Sequence, residues 1–230
     1  MKKIFYCTLL ILFYINYSAI GSDLIIKNLK CNYKINPIGI ENGKIYLSWE
    51  ILSNKENSFQ KAYQIIASNS LENLQKGKLI WNSGKVYSDS SINVTYKGPT
   101  LISRERIYWR VKVWDNYNRE SKWSEPAFFE IGLSHNDWKA KWITPDIPEK
   151  KDNDENPCPF LRKFFTLSKK IKNARLYITA KGLYIPFING NRVSEDLFTP
   201  GWTSYSKRLQ YQIYDVKRYL KEGDNVLGVI

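Results

Sequence analysis

The sequence predicts an all-β chain in which two sandwich domains follow one another. Three observations lead to this prediction. Short apolar segments recur at close spacing, residues typical of turns separate them, and the segment 107–114 alternates strictly between two kinds of side chain. A period of two is typical of a half-buried strand, and a series of such strands separated by turn signals is typical of a β-sandwich.

The first domain is predicted at residues 22–134. Its clearest strand, at residues 107–114, has an inward apolar row formed by Ile107, Trp109, Val111 and Val113. Further strands are predicted at residues 45–52, 62–68, 78–81, 92–96 and 127–131. Six or seven short strands in about 100 residues predict a sandwich of the fibronectin type III or immunoglobulin kind.

The second domain is predicted at residues 135–230 and is also β-rich. Asn189-Gly190, between Phe187-Ile188 and Arg192-Val193, predicts a type I′ hairpin turn. A jelly roll needs about eight strands to bury both inner faces, whereas this domain offers fewer. We therefore expect the first part of a jelly roll, in a chain truncated relative to its functional parent. The predicted strands lie at residues 160–167, 174–180, 183–188, 208–214 and 226–230.

Residues 1–21 have the design of a secretory signal peptide. Lys2 and Lys3 precede an apolar run at residues 4–15, and Ala19 and Gly21 provide the small residues of a cleavage site. The apolar run is too short to cross the ~30 Å hydrocarbon core of a membrane as a helix. We therefore expect an exported protein, periplasmic, on the cell surface or extracellular, without a membrane span.

The formal net charge is +13, a balance that can favour nucleic acid or an anionic surface. Lys and Arg are scattered, however, and apolar residues interrupt their densest group at residues 163–175. This pattern favours solvated strand and loop faces and predicts no nucleic-acid partner. An acidic polysaccharide or an anionic surface stays open as the alternative partner. Cys31 and Cys158 are the two cysteines that follow the predicted leader. They could form a disulfide bridge or remain as two free thiols, and the sequence leaves both alternatives open.

The residues offer no catalytic or metal-binding constellation. The single histidine, His135, lies in a polar linker without a nucleophile motif. No Cys/His group has zinc spacing, and no pair of carboxylates can be assigned to glycoside hydrolysis. The acidic segment 149–157 lacks the glycine and the ligand spacing of a calcium loop. We predict no cofactor; calcium stays open but has no support in the sequence.

Three groups of motifs resemble one known family. The first group consists of YWRVKVWD at 108–115 and SKWS at 121–124, and the second of WKAKWI at 138–143 and LRKFF at 161–165. The third and most specific group consists of PGWTSYSKRLQY at 200–211, with ING at 188–190 and GDNV at 223–226. In this order, over about residues 40–230, they resemble the N-terminal region of bacterial α-L-rhamnosidases of glycoside hydrolase family 78.

The resemblance implies a fibronectin-like module followed by a galactose-binding-like jelly roll that contacts sugar. It also implies that hydrolysis of terminal α-L-rhamnosides belongs to a later (α/α)₆ barrel, which this chain does not contain. No catalytic residue can therefore be carried over, and we expect the chain alone to be inactive. After Tyr184 the chain has Ile185 and Pro186 where the family usually has an acidic residue, which puts the role of that position in doubt.

The residues predicted to contact sugar are Trp202, Tyr205, Tyr184, Asn189 and Arg208. Aromatic faces pack against the apolar face of a pyranose, and Asn and Arg form directed hydrogen bonds to hydroxyls. The alternative is structural: Trp202 and Tyr205 would wedge a long loop against the sheet, and Asn189 would only make the turn.

We therefore expect the N-terminal accessory part of a secreted α-L-rhamnosidase. Its expected partners are a rhamnose-containing glycan and the catalytic domain of the parent chain. Two alternatives stay open from the sequence: a stand-alone exported carbohydrate-binding or adhesion protein, and the accessory part of another glycosidase such as a β-galactosidase.

Overall fold

The computed structural model describes residues 24–146 and 158–230, which are almost entirely β. The predicted leader and the acidic segment 149–157 lie outside the described residues. The single α-helix of the described residues, α1 (Leu71–Gln75), begins after Ser70, whose side chain accepts a hydrogen bond from the backbone N–H of Asn73. The predicted all-β class is confirmed.

Within residues 24–131, nine strands form a sandwich of two sheets. One sheet has the strand order β1-β3-β7, and the other has the order β2-β9-β8-β4-β5, with β6 beside β4. Only the β2–β9 pair is parallel among these strands. The strands are β1 (Leu24–Cys31), β2 (Ile38–Ile40), β3 (Tyr46–Ser53), β4 (Gln60–Ser68), β5 (Trp81–Asn82), β6 (Val86–Tyr87), β7 (Val94–Thr95), β8 (Arg106–Asp115) and β9 (Ala127–Ile131).

Strand β8 shows the predicted alternation along its whole length, because every second residue is buried. Its inward row packs against residues of the facing sheet, and the sequence assigned this row correctly. The largest fully buried side chains of this core are Trp109, Phe129, Leu47, Ile65, Ile107 and Ile131.

Strand β1 was not predicted, because a β-bulge breaks its alternation. Its register against β3 shifts between Lys27 and Lys30, and Asn28 has a positive φ of 51°. The bulge turns two successive residues to the exposed side, so the period of two is lost from the sequence.

Among residues 158–230, six strands form the second domain. One sheet has the order β10-β15-β12-β13, and the strands β11 and β14 form a second, two-stranded sheet. A small core lies between the two sheets and contains Tyr184, Ile188, Val193, Tyr214 and Val216. The strands are β10 (Leu161–Leu167), β11 (Arg175–Ile178), β12 (Pro186–Ile188), β13 (Asn191–Arg192), β14 (Gln212–Asp215) and β15 (Gly223–Val229).

The predicted hairpin turn joins β12 to β13. Ile188 pairs with Asn191, which leaves Asn189 and Gly190 as a two-residue loop, and both have positive φ, at 50° and 80°. Positive φ at both central residues is the signature of a type I′ turn, as predicted.

A buried carboxylate connects the first sandwich to the second domain. Glu130, on β9, is 5% exposed and accepts hydrogen bonds from Arg106 of its own sandwich (2.7 Å) and from Arg175 on β11 (3.0 Å). Arg175 also pairs with Asp215 on β14 at 2.8 Å. Burial alone would lower the pKa of Arg175, but the hydrogen bond and charge of Glu130, together with Asp215, raise it.

Close backbone approach supports the same junction. A side chain at Gly39 would meet the Ile213 side chain at 2.7 Å, and one at Gly132 would meet the Tyr211 hydroxyl at 2.5 Å. The Tyr211 hydroxyl also accepts a hydrogen bond from the backbone N–H of Leu133 (2.8 Å). Two glycines and one tyrosine therefore let the β11–β14 sheet lie against the first sandwich.

Both cysteines of the described residues are free. Cys31 is buried in the first core, and burial raises the pKa of its thiol to about 12. Cys158 is exposed. Of the two arrangements left open by the sequence, the structure has free thiols.

We predict that Glu130→Gln destabilises the chain by about 3 kcal/mol. The substitution leaves the guanidinium groups of Arg106 and Arg175 without their shared carboxylate. Removing one partner of a buried ion pair costs about 3–5 kcal/mol of stability. We expect the lower end of this range, because Arg106 is partly exposed to solvent. Urea unfolding followed by tryptophan fluorescence measures the free energy of unfolding. Glu125→Gln, at an exposed position, is the matched control, and equal stability of the two variants would contradict the prediction.

Candidate functional site

A long loop without regular secondary structure separates β13 from β14 and carries the most specific motif of the sequence. We call residues 199–211 of it the platform loop. Long irregular loops inside a compact domain are uncommon and are often functional. Whether hydrogen bonds fix the backbone of this loop therefore determines whether its exposed side chains can form a binding surface.

The start of the platform loop is hydrogen-bonded to the segment that leads into β12 and to the first residue of β14. The backbone N–H of Tyr184 donates to the carbonyl of Thr199 (3.0 Å), and the Thr199 hydroxyl donates back to the carbonyl of Tyr184 (2.9 Å). Gln212, the first residue of β14, donates from its side chain to the carbonyl of Pro200 (3.1 Å). These bonds fix the backbone immediately before Trp202.

The rest of the platform loop is held in a similar way. The backbone N–H of Gly182 donates to the hydroxyl of Tyr205 (3.1 Å), and the Thr179 hydroxyl donates to the carbonyl of Gln210 (2.6 Å). The backbone N–H groups of Lys207 and Arg208 both donate to the carbonyl of Ser204, at 2.8 and 2.9 Å, and close a turn.

Trp202 projects from this fixed backbone into solvent. Its exposed fraction is 92%, the largest among the exposed large hydrophobic residues of the described chain. The preceding Gly201 has a φ of 101°, and a side chain there would meet Gln210 at 2.6 Å. An indole held in water by an ordered loop contributes little to the core, and exposed apolar surface of this kind marks contact sites.

Other apolar side chains are exposed on the segments that lead into or contact the platform loop. Phe198 is 76% exposed and has a positive φ of 56°, a conformation that costs a residue with a side chain about 1–2 kcal/mol. Leu183, next to Gly182, is 60% exposed, and Trp142 is 59% exposed. The ammonium of Lys181 lies 5.4 Å from the Trp142 ring centroid. We call Trp142, Leu183, Phe198 and Trp202 the exposed apolar group.

Tyr184 lies beneath the platform loop rather than on its surface. It is 4% exposed, and its hydroxyl donates to Oε1 of Gln212 at 2.6 Å. Burial raises the pKa of the Tyr184 phenol, so it stays a neutral donor. Its position makes it a support for Gln212.

Asn189 uses its side chain to hold the hairpin against β15. The amide nitrogen donates to the carbonyl of Tyr219 and to the side chain of Asn225, both at 2.9 Å, and the amide oxygen accepts from the N–H of Val226 at 2.8 Å. Its polar atoms are therefore engaged within the domain.

The structure thus brings three of the five predicted contact residues into one loop: Trp202, Tyr205 and Arg208. Arg208 is exposed and Tyr205 is half-buried. The structural alternative fits Tyr205, whose hydroxyl fastens the loop, and Asn189, which holds the turn. It does not fit Trp202, because an indole that is 92% exposed does not pack the loop against the sheet.

Within the described residues, no group of three or more His, Cys, Asp or Glu side chains is arranged to hold a metal ion. Nor does any helix of residues 24–146 and 158–230 have the length and apolar character needed to cross a membrane.

Two family models match the chain. The model described as Rha78A-like, N-terminal immunoglobulin domain, matches residues 26–135, and that described as α-L-rhamnosidase N-terminal domain matches residues 169–230. The chain belongs to the α-L-rhamnosidase family and corresponds to the N-terminal region of its members. The resemblance inferred from the motifs is therefore confirmed.

Curated relatives point the same way. An α-L-rhamnosidase of Formosa agariphila is 40% identical over 200 residues, which are 84% of this chain and 22% of that protein. An α-L-rhamnosidase of an Alteromonas species is 38% identical over 208 residues, 85% of this chain and 22% of that protein. The chain thus spans less than a quarter of the length of these relatives.

Solved structures share the fold of the whole described region. The α-L-rhamnosidase of Dictyoglumus thermophilum matches with a TM-score of 0.82 at 36% identity, over 91% of this chain and 25% of that one. The native α-L-rhamnosidase of Aspergillus terreus matches with a TM-score of 0.77 at 31% identity, over 90% of this chain and 23% of that one.

Sequence reasoning missed the residues that support the platform loop. Gln212 and Thr199 bond backbone atoms far from them in sequence, and Lys181 lies beside the Trp142 ring. A weak signal exists at Gln212, a polar residue between Tyr211 and Ile213 in a strand. Its partners could not be inferred, because they depend on the path of the loop.

We predict that Tyr184→Phe loosens the platform loop and costs about 1–2 kcal/mol of stability. The ring is kept, but the part-buried amide oxygen of Gln212 loses its donor. Urea unfolding gives the free energy, and limited proteolysis reports the loop. Tyr87→Phe, at an exposed tyrosine of the first sandwich, is the control. Unchanged stability together with unchanged cleavage within residues 199–211 would refute the assigned role.

Proposed function

We propose that this chain is the N-terminal accessory region of an exported α-L-rhamnosidase, and that its second domain contacts a rhamnose-containing glycan through the platform loop. The single observation that carries the proposal is Trp202, which is almost fully in solvent on a loop whose backbone carbonyls are bonded on both sides of it, at Pro200 and at Ser204.

The chemistry of rhamnose suits this arrangement. Rhamnose is a 6-deoxy sugar, so a methyl group and ring C–H groups form an apolar face that can lie on an indole. A flat, rigid aromatic side chain offers such contact at a low cost in conformational entropy. Arg208, in the same loop, can donate hydrogen bonds to ring hydroxyls, and Tyr205 lines the loop between them.

In this proposal, hydrolysis of terminal α-L-rhamnosides occurs in the part of the full-length protein that lies beyond the matched region. Support comes from the relatives, which are named α-L-rhamnosidases and of which the matched part is only 22%. The described residues would hold or orient the glycan. Export rests on the leader pattern of residues 1–21.

We predict that Trp202→Ala weakens binding of methyl α-L-rhamnopyranoside at least about tenfold, the effect of losing one good aromatic contact. Stability should change by less than about 0.5 kcal/mol, because the indole is exposed. Binding is measured by nuclear magnetic resonance titration of the ¹⁵N-labelled chain, and folding by thermal unfolding.

The control for this experiment is Trp81→Ala in the first sandwich, which should keep the affinity even if it costs stability. Native affinity in a folded Trp202→Ala variant would refute the proposed site. Loss of folding in that variant would contradict the exposed position of Trp202.

A further inference from the structure

The four-stranded sheet of the second domain has two sides, and one of them does not face the small core. Leu227 and Val229 of β15 pack against the small core. Their neighbours Val226 and Gly228 lie on the opposite side of the sheet, because side chains alternate along a strand. We call that opposite side of the sheet β10-β15-β12-β13 the outer face.

Strand register shows which side chains share the outer face. Val226 pairs with Phe164 on β10, and Gly228 pairs with Arg162 on β10 and with Phe187 on β12. Directly paired residues of antiparallel strands lie side by side on the same side of a sheet. The guanidinium of Arg162 lies 5.0 Å from the centroid of the Phe164 ring. The outer face is therefore mainly apolar and aromatic.

The composition of β15 is typical of a strand that is covered on both sides. An antiparallel sheet with one solvated side alternates between apolar and polar residues. Residues 226–230 are Val-Leu-Gly-Val-Ile and carry no polar side chain. On β10, Phe164 is 60% exposed, and Phe160, directly before this strand, is 78% exposed. The sequence of the sheet thus indicates a covering layer over the outer face.

An open groove of about 750 Å³ lies on the outer face. Among the described residues, Arg162 contributes the only polar side chain of its lining, which also includes Phe160, Phe187, Val226, Gly228 and Ile230. A sugar needs several hydrogen-bond partners, whereas contiguous exposed apolar surface marks contacts with other protein segments. The groove therefore suits apolar side chains of a polypeptide.

Gly228 is a residue that its own neighbours do not explain. It lies inside the central strand β15, where glycine weakens a sheet, and its φ is not positive. A Cβ at this position would meet no described atom closer than Cβ of Phe187 at 3.8 Å and the carbonyl oxygen of Leu161 at 4.0 Å. A glycine inside a strand often marks a place that another backbone approaches closely.

We propose that the outer face is an intramolecular docking surface, and that its occupant is an apolar segment of the full-length protein that follows Ile230. Gly228 lets the backbone of that segment approach the sheet, and Phe160 and Phe164 pack against its side chains. The inference rests on one part of the proposed function, namely that this chain is the N-terminal region of a longer protein. It does not depend on sugar binding.

Two observations favour this occupant over a separate protein. The matched part is only 22% of the relatives, and the model that matches residues 169–230 describes an N-terminal domain. Ile230 itself lines the groove, so a segment that follows it begins at the groove. Such a tethered segment binds at an effective concentration of roughly millimolar, which a free partner seldom reaches.

Alkylation of a thiol on the outer face tests the inference. Phe164→Cys is made in a Cys158→Ser background, in this chain and in the full-length protein, and its reaction with iodoacetamide is followed by peptide mass spectrometry. We expect it to react readily in the chain alone and at least about tenfold more slowly in the full-length protein, where it is reached only by local opening. Tyr87→Cys, at an exposed position of the first sandwich, should react equally in both.

Gly228→Val assigns the protection to the groove. Added to Phe164→Cys in the full-length protein, it should restore alkylation to within about twofold of the rate in the chain alone, because its side chain keeps the segment off the sheet. In the chain alone it should leave the Tm unchanged or higher, since valine favours strands. Gly43→Val, where an added Cβ also meets nothing within 4 Å, is the matched control and should leave the protection intact.

The outcomes separate this inference from its alternatives and from the proposed sugar site. Equal alkylation of Phe164→Cys in the chain alone and in the full-length protein overturns the docking surface. Protection that appears in the chain alone and grows with its concentration assigns the outer face to a second copy and overturns the proposed occupant. Protection that survives Gly228→Val overturns the assignment to the groove. Native rhamnoside affinity in Trp202→Ala, with Phe164→Cys protected, refutes the sugar site and leaves the docking surface standing.

Discussion

The ion pair between Glu130 and Arg175 is the constraint on which the β11–β14 sheet, and the loop that this sheet holds, depend. Arg175 is the first residue of β11, and β11 pairs only with β14 among the described strands. A two-stranded sheet is marginal by itself in water, so it needs support from both sides. The small core supports one side, and the first sandwich supports the other through Glu130 and the contact between Gly39 and Ile213. The first sandwich is therefore the base on which this sheet is built.

The same sheet holds the candidate site. Gln212 is the first residue of β14 and bonds the backbone of the platform loop at Pro200, while Tyr184 fixes its amide from below. A continuous set of contacts thus leads from Glu130 through β11 and β14 to the backbone beside Trp202. Preorganisation of this kind lowers the entropy cost of holding a ligand. It also accounts for an irregular loop that is ordered while its aromatic side chain stays in solvent.

Local sequence patterns predicted the fold class. The features that they did not predict depend mostly on contacts between residues far apart in the sequence. The alternation in β8 and the Asn189-Gly190 turn are properties of neighbouring residues, so they could be read from the sequence. Strand β1 was missed because its bulge breaks the period of two. In the candidate site, the sequence grouped Tyr184 with Trp202 because both are aromatic and near the same motifs. Their opposite burial, 4% and 92%, depends on the path of the loop, which local pattern does not specify. The Glu130–Arg175 pair spans 45 positions and has no local signal.

Hydrogen–deuterium exchange in Glu130→Gln tests the central claim most directly, namely that the first sandwich holds the platform loop in place. The account predicts faster exchange than in Glu125→Gln at the amides of β11 and β14 and at Lys207 and Arg208 in the loop, because each depends on the same sheet. Faster exchange confined to β8 and β9, with the amides of residues 199–215 unchanged, would contradict it. The platform loop would then owe its order to the second domain alone.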